Sequence, residues 1–242
     1  IFASQTRAQI VQIEQYTSAV NSFRLKYGCL PGDCSKAEQL GLGISSGPGR
    51  NGNGDDAFTS QGTGFSDSAI NSGLNYESLN FWYHLEQANL IKGEYSGFDS
   101  QTPASWADAG GLIEQIAATP EAEGGNNARL MVSNFGDASA TNARSAGNSF
   151  YVFQPGTTHE TRRTGLVPMM SYMIDTKIDD GFPKTGNVAC TSTGTVNPLQ
   201  LAGVGRVCGY NTSSCTTINS GTNNEYAKTR QGECSLAFLN RF

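Results

Sequence analysis

The stretch RNGNGDDAF carries oxygen-bearing side chains at a spacing that could hold a metal ion. Asn51, Asn53 and Asp55 alternate along it, Asp56 adds a second carboxylate, and the intervening glycines allow the backbone to curl. This resembles the first positions of a calcium-binding loop, although the bidentate acid expected at position twelve is absent. Asn-Gly pairs are also ordinary turn sequence. The sequence therefore offers calcium as a candidate cofactor, with a plain turn as the alternative.

The six cysteines predict disulfides rather than a metal centre. They form an even set without a CxxC pair, and the chain has only two histidines that could complete a zinc site. Three disulfides formed in an oxidising compartment are therefore expected. Cys29 and Cys34 are close enough in sequence to pair locally, which leaves three connectivities for the other four. Those four are Cys190, Cys208, Cys215 and Cys234.

Three other residues that could take part in catalysis have simpler interpretations. The GISSG motif around Ser45 matches the G-x-S-x-G of serine hydrolases, but that motif needs a strand before the serine and a helix after it. Here glycine-rich sequence precedes Ser45 and a proline follows. His84 and His159 lie far apart, and no nucleophile accompanies either. We therefore expect structural roles for both histidines, and no enzyme activity.

Composition narrows the class of protein. The chain has 242 residues, enough for a sizeable core, with 16 Lys plus Arg against 21 Asp plus Glu and a net charge of -5. That balance offers no broad basic field for nucleic acid or anionic lipid. Glycine is abundant at 29 residues and charged residues make up only 15%. These values favour a secreted, loop-rich protein with much β structure.

The first element that must position these residues is a long helix. Its apolar residues recur every three or four positions, as on one face of an α-helix. Gly28 is expected to end the helix in the left-handed conformation, and Pro31 cannot continue it. No capping residue precedes the first apolar residues, so we expect Ile1 and Phe2 to be the end of a more apolar segment. The apolar residues are Ile13, Tyr16, Val20, Phe23 and Tyr27.

The later elements follow from the same rules. A second helix is predicted over 74–92 with Gly93 as its C-cap, and a third over 168–178 with proline in its first turn. Asp179 and Asp180 then fit an exposed turn at the end of the third helix. Residues 41–73 are expected to be a long loop and 104–118 a broken helix. Strands are predicted at 129–133, at 149–154 and around NVAC and CSLAFL.

The stretch FRLKYGCLPGD fits the pattern F-R-x-K-Y-x-x-L-P-G-D, and five further stretches follow a matching order across nearly the whole chain. Together they resemble a pilin-like subfamily of the type IV pilin and type II secretion pseudopilin superfamily. The departures are an absent FTLIE-type start with its membrane half-helix, an extra cysteine pair, and an enlarged middle between Gly93 and Gly165. The further matches are NGNGD, ESLNFWYHLEQANLIKG, IDTKIDDGFPKTGNV, CGYN and ECSLAF.

The resemblance implies one pilin-like α+β domain over 1–242, in which antiparallel strands pack across the C-terminal half of the first helix. Within this domain, residues 1–28 form the spine helix, and residues 29–92 contain the loop closed by the Cys29–Cys34 disulfide and the second helix. Residues 93–165 are the enlarged middle, and residues 166–242 contain a helix and strands joined by disulfides. It also implies that Cys208 pairs with Cys234, which leaves Cys190 for Cys215.

The function that the resemblance implies is that of a filament subunit at the bacterial surface or in the periplasm. Its partners would be copies of itself or other pilins, the assembly machinery, and the inner membrane through an upstream apolar helix. The alternative is a minor pilin at the filament tip, whose enlarged middle binds a surface or a glycan. Isolated filaments would separate the two roles, because a tip protein is present in far fewer copies.

Overall fold

The fold is α+β, with a long N-terminal helix and an antiparallel sheet. The computed structural model describes residues 2–42, 51–56, 58, 76–97, 119–125, 127–135, 146–153, 166–182, 186–191, 216–217, 225–226, 235–239 and 241–242. The helices are α1 (Phe2–Tyr27), α2 (Tyr76–Gln87) and α3 (Pro168–Ile178). The strands are β1 (Arg129–Phe135), β2 (Ala146–Phe153), β3 (Val188–Thr191), β4 (Thr216–Thr217), β5 (Glu225–Tyr226) and β6 (Ser235–Phe238).

Helix α1 buries the face that its spacing predicts. Ile13 is 2% exposed and Val20 and Phe23 are fully buried, while Tyr16 and Tyr27 pack at the edge of the core. Gly28 ends the helix with a φ of 71°, and its N–H donates a 2.8 Å hydrogen bond to the carbonyl of Arg24. The predicted glycine C-cap is therefore confirmed.

The main sheet has four antiparallel strands in the order β1-β2-β6-β3. The last strand of the chain, β6, lies between β2 and β3, so Phe238 is opposite Phe150 on one side and Val188 on the other. Strands β1 and β2 both come from the enlarged middle of the sequence. The middle therefore supplies half of the main sheet. The shorter strands β4 and β5 pair with each other and were not predicted.

Aromatic side chains join the helices to the sheet. The ring of Trp82 on α2 lies 4.9 Å from that of Tyr16 on α1 and 6.0 Å from that of Phe150 on β2, measured between centroids. Phe81 contacts Trp82 at 4.8 Å and Phe242 at 5.6 Å. Large buried rings in mutual contact contribute much of a core's stability. This cluster fixes α1 and α2 against the same face of the sheet.

Two buried glutamines on α1 hold part of the middle region. Gln12 donates to the carbonyl of Glu121 at 2.7 Å and accepts from the N–H of Glu123 at 3.1 Å. Gln9 donates to the Gln12 side chain at 3.0 Å and accepts from the N–H of Gly124 at 3.0 Å. These bonds satisfy backbone groups that are buried at Gly124 and part-buried at Glu121 and Glu123. They tie residues 121–124 to the helix.

The predicted end of α2 is wrong. The helix stops at Gln87, and Asn89 rather than Gly93 takes the left-handed conformation next to its end, with a φ of 57°. The N–H of Leu90 donates to the carbonyl of Leu85 at 3.0 Å, and that of Asn89 to the carbonyl of Glu86 at 2.8 Å. This is the Schellman pattern, for which asparagine is the usual substitute for glycine.

The other elements lie close to their predicted positions where the structure describes them. Helix α3 has the predicted bounds, with Pro168 in its first turn and with Met170 and Ile174 buried. Strands β1, β2, β3 and β6 lie within a few residues of the predicted strands. The predicted broken helix at 104–118 falls outside the described residues. None of the helices described here is both long and apolar enough to span a bilayer.

Candidate functional site

The segment that follows α1 forms a tight loop closed by a disulfide. Cys29 and Cys34 are bonded, with Cα atoms 5.2 Å apart, which is the pairing expected from their spacing. Inside this loop Leu30 is fully buried and Asp33 is 1% exposed. A carboxylate is rarely buried so completely unless it has strong partners. The surroundings of Asp33 therefore define the first candidate site.

Asp33 is held by the backbone of the 51–56 loop. Its Oδ1 accepts a 2.7 Å hydrogen bond from the N–H of Gly54, and its Oδ2 accepts a 2.8 Å bond from the N–H of Asp56. The N–H of Gly52 donates to the carbonyl of Cys34 at 3.1 Å. Charge-assisted bonds of this kind are stronger than those between neutral groups. They fasten the 51–56 loop onto the end of the first helix.

A second buried carboxyl group meets the same loop from α2. Glu77, in the first turn of that helix, is 1% exposed, and its Oε1 accepts a 3.2 Å bond from the N–H of Asn53. Its Oε2 is buried, and the Glu77 side chain forms a hydrogen bond with that of Asp33. Asp33 and Glu77 thus form a carboxyl pair, to which three residues of the loop, Asn53, Gly54 and Asp56, donate backbone N–H groups.

The pKa values of both carboxyl groups are raised. Burial is the main cause for Glu77, followed by the negative charge of Asp33, and together they raise its pKa to about 9. Burial also raises the pKa of Asp33, while the N–H groups of Gly54 and Asp56 oppose the rise. Among the residues that the structure describes, no Lys, Arg or His forms an ion pair with either group. The pair lacks a positive partner in this part of the chain.

His84 of α2 contacts the loop after α1 at the junction formed by α1, the 51–56 loop and α2. Its Nδ1 accepts a 2.8 Å hydrogen bond from the N–H of Gly32, and its ring stacks on Phe23 at a centroid distance of 6.3 Å. Gly32 has a φ of 83°, and a Cβ there would overlap the backbone carbonyl of Glu77. Only glycine fits this close approach. His84 therefore has the structural role expected for it, whereas Ser45 and His159 lie outside the described residues.

The four predicted calcium ligands lie at the outer side of the junction. Asn51 accepts from the N–H of Glu38 at 3.1 Å, and the Asn53 side chain exchanges hydrogen bonds of 2.8 and 2.9 Å with Asp55. Asp56 forms an exposed ion pair with Arg24 at 3.9 Å. These contacts shape the loop. Calcium binding by the four side chains stays a prediction.

A second acidic cluster lies at the end of α3. Asp175, Asp179 and Asp180 each bring a carboxylate oxygen within 4.8 Å of the other two. Each accepts a backbone N–H: Asp175 from Gly181 at 3.0 Å, Asp179 from Val188 at 2.7 Å and Asp180 from Phe182 at 2.8 Å. Asp180 is exposed as expected, but Asp179 is half-buried because it anchors the start of β3. These bonds hold the turn between α3 and β3, and the turn explains why the three carboxylates lie close together.

The remaining disulfides are not tested by the described residues. Cys190 lies in β3, opposite Leu236 of β6, and nothing is described of its side chain. Cys208, Cys215 and Cys234 fall outside the described residues. The pairs Cys208–Cys234 and Cys190–Cys215 therefore stay predictions.

The comparisons with known proteins give no family assignment. No family model, no curated protein and no solved structure matches this chain.

Proposed function

We propose that this chain is the globular head of a filament subunit, of the type IV pilus or type II secretion class. The observation that carries the proposal is that α1 is a long helix buried on one side only. A helix of 26 residues buries one face along most of its length and leaves the opposite face to solvent. Filament subunits of this class use such a helix as the spine on which neighbouring copies pack.

Two exposed apolar residues on α1 support this role. Leu25 is 89% exposed and Val11 is 47% exposed, and both belong to the face opposite Val20 and Phe23. Single exposed apolar residues are common. On a long helix, however, Leu25 and Val11 offer apolar contacts that a neighbouring subunit could cover.

The position of the middle region favours a structural subunit over a tip adhesin. Strands β1 and β2 belong to this region and form half of the four-stranded sheet, and residues 121–124 are bonded to Gln9 and Gln12 of α1. Those parts of the middle are integral to the core. The proposed partners are copies of this chain or other pilins, the assembly machinery and, before assembly, the inner membrane. We assign no reaction to the subunit.

Immunogold labelling of sheared surface filaments tests the proposal. Antibodies against the chain should label filaments along their length and should find the protein outside the cytoplasm. Labelling confined to tips would favour the adhesin role, and detection in the cytoplasm alone would contradict both.

A pair of leucine variants tests the contribution of α1. Leu25→Glu should leave the melting temperature of the isolated chain unchanged and reduce incorporation into filaments. Leu40→Glu is the matched control, because Leu40 is 41% exposed but lies in the loop after α1. Equal incorporation of the two variants would contradict a packing role for Leu25.

A further inference from the structure

The solvent-facing side of α1 carries a regular stripe of exposed residues along the length of the helix. Residues seven positions apart lie on nearly the same side of an α-helix, because two turns take about 7.2 residues. Four exposed residues repeat at this interval, and two charged residues lie between them on the same side. We call this set the α1 stripe, and its members are Ser4, Arg7, Val11, Glu14, Ser18 and Leu25.

The two charges of the α1 stripe have opposite signs and lie too far apart to pair with each other. Arg7 and Glu14 are separated by two turns, about 10.5 Å along the helix axis. Neither forms an ion pair with any residue that the structure describes. Arg241 interacts with the charge of Glu14 at longer range. Both side chains are therefore exposed charges that a neighbouring molecule can pair with.

A second copy of α1 complements this stripe when it lies parallel and is shifted along the axis by seven residues. Arg7 of one copy is then level with Glu14 of the next. The same shift brings Val11 level with Ser18, and Ser18 level with Leu25, so each apolar side chain meets a small one. A parallel copy without the shift would bring like charges together, which disfavours that arrangement.

We propose that neighbouring copies of this chain contact each other through the α1 stripe, with Arg7 of one subunit paired with Glu14 of the next. This contact rests on the proposed filament role and specifies the register between subunits. A shift in one direction leaves a charge unpaired at each end, so further copies can add and the assembly grows as a filament. An antiparallel pair would also bring Arg7 opposite Glu14, but it closes as a dimer and cannot extend.

Charge reversal tests the register in isolated filaments. Arg7→Glu and Glu14→Arg should each reduce incorporation several-fold, because each brings like charges together. The double variant with both changes should restore incorporation, because the two signs are exchanged. Lys36→Glu is the matched control, since it makes the same change of charge as Arg7→Glu at an exposed position in the loop after α1. The melting temperature of each isolated chain identifies any effect on folding, including a loss of attraction between position 14 and Arg241.

Cysteine cross-linking of filaments tests the same register without changing a charge. A variant with both Val11→Cys and Ser18→Cys should give a ladder of multimers with a short bismaleimide, because each position 11 lies level with position 18 of a neighbour. Either single variant should give no more cross-linking than the wild type. Dimers formed by Val11→Cys alone would indicate the antiparallel pair, in which the two copies of position 11 lie side by side, and would overturn the proposal.

Failure of this register and failure of the filament role give different results. If the wild-type chain is absent from filaments, the filament role is wrong and the register falls with it. The register alone is overturned if the wild type assembles and Arg7→Glu is incorporated as well as Lys36→Glu. A double charge variant that folds but does not recover incorporation overturns it as well.

Discussion

Replacing Glu77 by glutamine should change how the stability of the protein depends on pH. The pKa of Glu77 is raised from 4.5 to about 9, mainly by burial. Above pH 4.5 the unfolded chain loses this proton while the folded chain keeps it. The stabilisation is thus fully present below the unfolded pKa and is lost as the pH rises towards the folded pKa. A group titrating in this way lowers the free energy of unfolding by about 1.4 kcal/mol per pH unit.

The glutamine variant lacks this titration and mimics the protonated carboxyl group. Relative to the wild type, Glu77→Gln should therefore become more stable by about 3 kcal/mol between pH 4.5 and pH 7. The hydrogen bond from the N–H of Asn53 to position 77 is kept in both proteins, so it does not contribute to the difference.

Urea denaturation of both proteins at several pH values measures this difference. Glu94→Gln is the matched control, because it makes the same carboxyl-to-amide change at an exposed position after α2, and its profile should parallel the wild type. If the wild type and Glu77→Gln give parallel profiles between pH 5 and pH 8, the folded protein does not hold a proton on Glu77, and the reasoning fails.

Three further changes test other parts of the structure by urea or thermal denaturation. Replacing both Cys29 and Cys34 by serine should lower the free energy of unfolding by about 2 kcal/mol, the contribution of loop entropy for a short ring. The reduced wild type is the control and should be as stable as the double variant. Gln12→Ala should cost about 1–3 kcal/mol, because it leaves the backbone of residues 121 and 123 without partners; no loss would mean that water replaces the amide. Asn89→Gly should stabilise the chain by up to about 1 kcal/mol and Asn89→Ala should destabilise it, because position 89 is left-handed; the reverse order would contradict the observed end of α2.

Local signals explain what the sequence predicts well. Gly28 terminates α1 after Tyr27 and Pro168 begins α3, and both residues act through their own backbone preferences. The short strands are recognised by β-branched and aromatic residues between glycine-rich or polar segments. These features need no knowledge of distant residues.

Non-local contacts explain what the sequence does not predict. The end of α2 was misplaced because Leu90 and Ile91 continue the apolar pattern; both pack against the core although the helix has already ended. The position of β6 between β2 and β3 depends on pairing across long stretches of chain. The carboxyl pair was missed for the same reason, since Asp33 and Glu77 are 44 positions apart and only the folded loop brings them together.

The motifs that carry the family resemblance meet at one place in the fold. Gly32 and Asp33 belong to LPGD, Gly54 belongs to NGNGD, and Glu77 and His84 belong to ESLNFWYHL, and each contributes to the junction between α1, the 51–56 loop and α2. Their contacts are internal and buried, so these residues specify how the chain leaves the first helix rather than what the surface binds. A chain could keep all of them and still lose the ability to assemble. The proposed filament role is therefore best tested at exposed positions of α1 such as Leu25.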